Sequence, residues 1–296
     1  MRFRIFSDQF RTFCIQMAAF TGIFVLTLLF FFILKESAPA IKTAGWEMLS
    51  SSNWYPTYSE PEYGLLVMLI NSLIVTLGTS LIVLPLGYGL AFFLYEFARP
   101  LEKTFIKSAI DLLSGVPSVI IGSFLLVMIS PQFLKVGIYS TENLLLTMIG
   151  LTLLSLPFTA SLIYEALSGV RSCLREGALA LGATRSTAVL KVVSRAAKSG
   201  LVNALILTVN RVIGETMVVL MVSGGAAIIP QSLFDPLRPL TAVIASEMGE
   251  VEVGSIHYSS LFFAGLVLFV LSFFLTVLSQ KMIAPKTRKL LARSGA

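Results

Sequence analysis

Long apolar runs alternate with short polar segments along the 296-residue chain. A helix needs about 20 apolar residues to cross the roughly 30 Å hydrocarbon core of a bilayer. The pattern therefore predicts an all-α integral membrane protein with six transmembrane helices. The predicted spans are residues 13–34, 64–97, 104–130, 143–169, 197–223 and 257–284.

Several of these spans have internal features that bear on their shape. The second is too long for a straight crossing, and Pro85, close to two glycines, predicts a bend or helix break. Pro117 in the third span frees a backbone carbonyl, which fits either a broken helix beside a cavity or an ordinary kink. Residues 241–249 are apolar but too short to span, so they predict a re-entrant or surface-lying helix.

The first span could be an uncleaved anchor or a secretory signal. Its apolar run exceeds the usual 7–15 residues of a signal peptide. We therefore predict an anchor, although Ala38-Pro39-Ala40 resembles a cleavage site.

Charge supports the membrane assignment and sets an orientation. Only 13% of residues are charged, and the mean hydropathy is +0.87. Most of the 22 Lys and Arg residues fall in the N-terminus, the C-terminus, loop 98–107 and loop 170–198. By the positive-inside rule these segments and both termini are cytoplasmic. The net charge of +6 then reflects topology, and membrane lipid rather than nucleic acid is the expected contact.

The sequence offers little for chemistry within this chain. A single His and two Cys provide no metal cluster or disulfide framework. No G-x-x-x-x-G-K-[ST] phosphate loop occurs, so ATP binding of that kind is not expected. We predict no catalytic residues, no metal site and no enzymatic activity.

Charged residues inside the fifth span point to a solute path. Arg211 and Glu215 are four residues apart, so a continuous helix would place both on one face. A charge at mid-bilayer costs about 2.5–3.5 kcal/mol. One interpretation is a polar path in which Arg211 meets an anion, with Asn210 and Thr216 beside it. The other is a self-neutralising ion pair that fixes helix packing.

A polar segment, residues 171–185, lies between the fourth and fifth spans. It contains good helix formers, several basic residues and the glycines Gly177 and Gly182. A short amphipathic helix on the cytoplasmic side favours a binding surface for another protein.

This segment resembles a known family motif. Glu176-Gly177-Ala178 followed by Gly182 is similar to the EAA loop of bacterial ABC-importer permeases. In that motif Glu-Ala-Ala precedes a glycine and, further on, Ile-x-Leu-Pro. The departures are Gly177 at the second place and Val192, Ser194 and Arg195 at the end.

A second motif resembles the phosphate branch of that family. Arg211-Val-Ile-Gly-Glu-Thr-Met217 looks like the Gly-Glu-Thr-Met motif of phosphate-importer permeases, especially the PstC type. Residues 115–122, residues 84–87 with Glu96, and residues 240–250 are also similar to segments of that branch.

The resemblance implies a type I ABC-importer permease fold with a cytoplasmic coupling helix, in a bacterial inner membrane. It implies a second, PstA-like permease, a PstB-like ATPase dimer that binds ATP and Mg²⁺, and an extracytoplasmic PstS-like phosphate-binding protein. This chain itself would bind no cofactor. Arg211 and Glu215 would lie on the phosphate route, and Gly182 would allow a turn. The residues implied to couple to the ATPase are Arg175, Glu176, Gly177, Ala178, Leu181, Gly182, Ala183, Thr184 and Arg185.

Three regions follow: residues 1–63 with the first span, the permease core 64–284 with its coupling loop 171–195, and the basic tail 285–296. Three other functions stay open at this point. The first is an ABC permease for another oxyanion, such as sulfate, molybdate or phosphonate. The second is a secondary anion carrier, which leaves the 171–190 segment unexplained. The third is a membrane scaffold, which leaves Arg211 and Glu215 unexplained.

Overall fold

The computed structural model describes the backbone of residues 2–135 and 137–294, and the side chains of residues 12–135 and 137–278. The described chain is mostly helical, with one short hairpin. Its helices are α1 Arg2–Thr43, α2 Glu47–Ser50, α3 Leu66–Glu96, α4 Pro100–Ser114, α5 Ser118–Phe124, α6 Ser130–Lys135, α7 Leu144–Ser168, α8 Ser172–Ala180, α9 Arg185–Thr187, α10 Ser194–Ala196, α11 Lys198–Ile213, α12 Met217–Val222, α13 Leu240–Glu247 and α14 Ile256–Ser294. Two π-helical segments, Leu125–Ile129 and Ala188–Val193, join α5 to α6 and α9 to α10. The strands are β1 Trp54–Tyr55 and β2 Glu62–Tyr63, paired antiparallel.

Within the described residues, five helical stretches are long and apolar enough to cross a membrane, and a bent pair provides a sixth. The sixth joins Arg185–Ala196 to Lys198–Ile213 at an angle of 78°. The prediction of an all-α membrane protein is therefore confirmed, and the predicted six spans result when this bent pair is counted as one span. The five stretches are Thr12–Thr43, Leu66–Glu96, Ser118–Lys135, Leu144–Ser168 and Ile256–Leu278.

The third span begins later than predicted. Residues 100–114 form the separate helix α4, and the apolar stretch starts at Ser118. Pro117 sits at the N-terminal cap of α5 with φ −59° and ψ 137°. Proline cannot donate a backbone hydrogen bond, and it disfavours the helical conformation in the residue before it. Pro117 therefore separates two helices instead of kinking one.

The 31-residue helix α3 is continuous through Pro85, so the predicted helix break does not occur there, while the alternative of a bend stays a prediction. A proline removes one bond of the helical ladder, and the neighbouring turns here are held by packing. Val83 is fully buried, and Gly87 lies against α7. A Cβ at Gly87 would come within 2.8 Å of the Thr159 Cγ2 atom. The close approach of α3 and α7 thus depends on this glycine.

The short apolar segment before the last span forms α13, whose first turn is buried. Leu240 and Val243 share a cluster with Met68 on α3 and Leu261 on α14. The helix is thus packed among the longer helices and does not lie on the surface.

Candidate transport path and coupling loop

Arg211 lies in the last turn of α11 and is partly buried. Its guanidinium carbon is 5.1 Å from the centre of the Phe158 ring on α7. Its Nε atom is buried without a hydrogen-bond partner. Arginine stays charged under all ordinary conditions. The fold therefore places the positively charged Arg211, with an unused hydrogen-bond donor, where α11 contacts α7.

Glu215 does not pair with Arg211. No Arg211 nitrogen lies within 4.0 Å of a Glu215 carboxylate oxygen. The expectation that both share one helical face is wrong, because α11 ends at Ile213 and Gly214 starts a break. The Glu215 carbonyl accepts a 3.0 Å hydrogen bond from the Thr241 hydroxyl of α13. The interpretation as a self-neutralising pair loses its geometric basis.

The two other predicted path residues differ in their surroundings. Asn210 donates from Nδ2 to the Thr276 hydroxyl of α14 at 2.9 Å, while its Oδ1 atom is buried without a partner. Thr216 donates to the Gly214 carbonyl at 3.3 Å, within the break itself. Asn210 and Arg211, consecutive in the chain, thus each keep one buried polar atom without a partner. Thr216 is bonded to its own turn.

Further polar atoms of the described core are buried without a partner. Buried polar groups are normally hydrogen-bonded, so such atoms in membrane proteins point to a hydrated path or a neighbouring chain. They belong to Asn71, Thr79, Ser80, Thr152 and Ser223.

The coupling loop opens with α8 and turns at Gly182. The amides of Gly182 and Ala183 donate to the carbonyls of Leu179 and Ala178 at 3.0 and 3.1 Å, which is the Schellman pattern of a helix C-terminus. This pattern needs a left-handed residue, and Gly182 has φ +86°. Thr184 then caps the next helix by accepting a hydrogen bond from the Thr187 amide at 3.3 Å. The predicted turn at Gly182 is confirmed.

One side of this loop is open and apolar. Leu181 is 91% exposed and Leu174 is 44% exposed. They are seven residues apart, about two helical turns, so they lie on the same side. The opposite side of α8 packs on the π-helical segment, where Val189 and Val193 are fully buried. One side of the loop thus packs against the rest of the protein, and Leu174 and Leu181 are exposed on the other side.

Two side-chain contacts tie this loop to α3. Arg175 donates from Nε and NH2 to the two carboxylate oxygens of Glu96 at 2.7 and 2.6 Å. This hydrogen bonding, ahead of the opposing effect of burial, raises the pKa of Arg175. The hydroxyls of Tyr88 and Ser194 are 2.7 Å apart. Sequence reasoning did not connect Glu96 with Arg175 or Tyr88 with Ser194, because the two residues of each pair are far apart in the chain.

Sequence reasoning also missed a polar cluster at the end of α13. The Glu247 carboxylate accepts hydrogen bonds from the Trp54 indole at 3.2 Å and forms an ion pair with Arg238 at 2.7 Å. It also lies 2.7 Å from His257 Nε2. The available signals were His257, the single histidine of the chain, and Arg238, one of the few basic residues in the predicted external loops. The cluster joins α13 to the hairpin and to α14.

The fold is that of a multi-pass membrane protein with an exposed loop between its fourth and fifth spans. Residues 83–289 match the family model described as binding-protein-dependent transport system inner membrane component. The chain belongs to this family. Its members are transport subunits, and this chain is a permease and not itself a catalyst.

Curated relatives and a solved structure agree with this assignment. A Bacillus subtilis protein, the probable ABC transporter permease YqgH, is 38% identical, with 78% of this chain and 75% of that protein covered. A phosphate transport system permease protein PstC from Mesorhizobium japonicum is 32% identical, covering 87% and 83%. A bacterial ABC transporter that imports alginate has a chain of the same fold, with TM-score 0.64, 15% identity and coverage of 94% and 99%.

Proposed function

We propose that this chain forms the membrane path for inorganic phosphate in an ATP-driven ABC importer. The observation that carries the proposal is Arg211, a partly buried cation with an unpartnered Nε and, among the described side chains, no carboxylate within ion-pair distance. Guanidinium offers several fixed donors and suits an oxyanion. The similar PstC proteins are named as phosphate permeases, which favours phosphate over other oxyanions.

The energy for transport would come from another chain. In our proposal an ATPase dimer, PstB-like and carrying ATP and Mg²⁺, docks on residues 171–195. The exposed leucines of this loop provide an apolar contact for it. We further propose that both termini are cytoplasmic, since the loop and the basic terminal segments lie on one side by the positive-inside rule.

Two further partners complete the proposed assembly. A second, PstA-like permease would lie beside this chain, and an extracytoplasmic PstS-like protein would deliver phosphate. Glu215 and Thr216 would belong to the path as parts of the break after α11, because this break interrupts the helix next to Arg211. This chain would need no cofactor of its own.

Reconstitution tests the proposal directly. The chain is co-purified with its second permease and ATPase, and placed in vesicles with the binding protein. Uptake of radiolabelled phosphate is measured with ATP, without ATP, and with excess sulfate or molybdate. We expect ATP-dependent uptake that sulfate does not compete. Competition by sulfate would identify another oxyanion importer, and uptake driven by an ion gradient without ATP would identify a secondary carrier.

A further inference from the structure

The cytoplasmic end of α3 is bonded to the coupling loop at two places. Glu96, the last residue of α3, holds Arg175 near the start of the loop. Tyr88 contacts Ser194 near its end. Residues 88 and 96 are eight apart, about two helical turns or 12 Å, so both contacts lie on one side of α3. The loop is thus attached to one helix at both of its ends.

The Glu96–Arg175 pair has the geometry of a strong link. The Glu96 side chain is fully buried, and the Arg175 side chain is 31% exposed. Two parallel charge-assisted hydrogen bonds fix both the distance and the angle between the groups. Separation would leave a buried carboxylate without a partner, which is strongly unfavourable. Movement of α8 is therefore expected to carry α3 with it.

The other end of α3 is bonded to the opposite side of the protein. The Ser72 hydroxyl accepts a 2.9 Å hydrogen bond from the amide of Leu240, at the start of α13. Asn71 donates from Nδ2 to the carbonyl of Ile228 at 2.9 Å. Between its two ends, α3 packs closely against α7. One continuous helix thus connects the coupling loop to the segments at the far side.

We propose that α3 transmits the movement of the coupling loop to α13, with Glu96–Arg175 and Tyr88–Ser194 as its positioning pairs. The inference rests on the proposed importer function. Ser194 departs from the leucine that the family motif has at this place, and its hydroxyl gives the second pair its contact. Arg175 thereby acts within the chain, toward α3, while Leu174 and Leu181 face outward.

The test measures phosphate transported per ATP hydrolysed in reconstituted vesicles. We compare the wild type with Arg175→Ala, Glu96→Gln, their double variant, and Tyr88→Phe, which removes only a hydroxyl. Lys198→Ala serves as the control, because it removes an exposed cation just outside the loop. Assembly with the ATPase is measured separately by co-purification.

We expect Arg175→Ala and Glu96→Gln each to lower the transport ratio at least about fivefold, a typical size for coupling between sites. The double variant should be no worse than the single variants, since both remove one contact. Tyr88→Phe should lower the ratio by a smaller factor, and Lys198→Ala should keep it.

Wild-type ratios in the assembled Arg175→Ala and Tyr88→Phe complexes would overturn the inference. Should Arg175→Ala fail to assemble, a normal ratio for Tyr88→Phe would also overturn it, because the link would then serve folding alone. A wild-type complex that does not import phosphate would instead contradict the proposed function.

Discussion

The guanidinium of Arg211 faces the ring of Phe158, with 5.1 Å between the guanidinium carbon and the ring centre. An aromatic face holds a cation while leaving its hydrogen-bond donors free, whereas a carboxylate would occupy them. This contact leaves the positive charge of Arg211 without a neutralising partner, which is what the proposed anion path requires.

Arg211→Gln should lower phosphate uptake roughly ten- to hundredfold while the complex still assembles. A hydrogen bond to a charged group contributes about 1.5–3 kcal/mol, and glutamine removes the charge. Glu215→Gln should have a smaller effect, because Glu215 is not bonded to Arg211. Uptake in vesicles, with co-purification as the assembly control, measures both. Equal losses for the two variants would restore the ion-pair interpretation.

Gly182→Asp should block ATP-coupled uptake. The substitution strains a residue with φ +86° by about 1–2 kcal/mol and adds a charge to the proposed docking loop. Gly254→Asp is the matched control, since Gly254 also has φ +86° and open space around its Cα, but lies outside the loop. ATP hydrolysis and uptake are measured together. Normal, tightly coupled hydrolysis in Gly182→Asp would contradict a coupling role for this turn.

Leu181→Asp should weaken ATPase binding without affecting folding. The side chain is 91% exposed in this chain, so its replacement removes few internal contacts. Val253→Asp adds the same charge at a position that is 79% exposed and far from the loop in sequence. Titration of the purified ATPase against each variant should give a higher dissociation constant for Leu181→Asp alone. Similar constants for both variants would place the docking surface elsewhere.

Glu247→Ala should destabilise the protein by about 2 kcal/mol, because it removes the acceptor shared by Trp54, Arg238 and His257. The Glu247 side chain is only 17% exposed, so water replaces these contacts poorly. Glu250→Ala, an exposed glutamate nearby, should change little. Thermal unfolding in detergent gives the comparison. A similar shift for both variants would mean that charge alone, and not the cluster, matters.

Local patterns predicted much of this molecule. The 20-residue length of a membrane crossing located most spans, and the family resemblance implied the turn that the structure has at Gly182. Errors arose where helix continuity depends on the surroundings. Pro117 ended one helix and Pro85 did not, although both are prolines in apolar runs. The packing of α3 against α7 keeps the helix continuous at Pro85, and this packing cannot be read from the pattern of a single sequence.

The sequence by itself determined the membrane class and the loop that resembles an ATPase-coupling motif, and it singled out Arg211 as the proposed anion contact. These depend on composition, local spacing and charge, which act within a few turns of chain. Only the tertiary structure decided that Glu215 lies beyond the end of α11, and that Arg175 reaches Glu96. The latter residues are 79 positions apart, and helix packing in three dimensions sets which distant side chains meet.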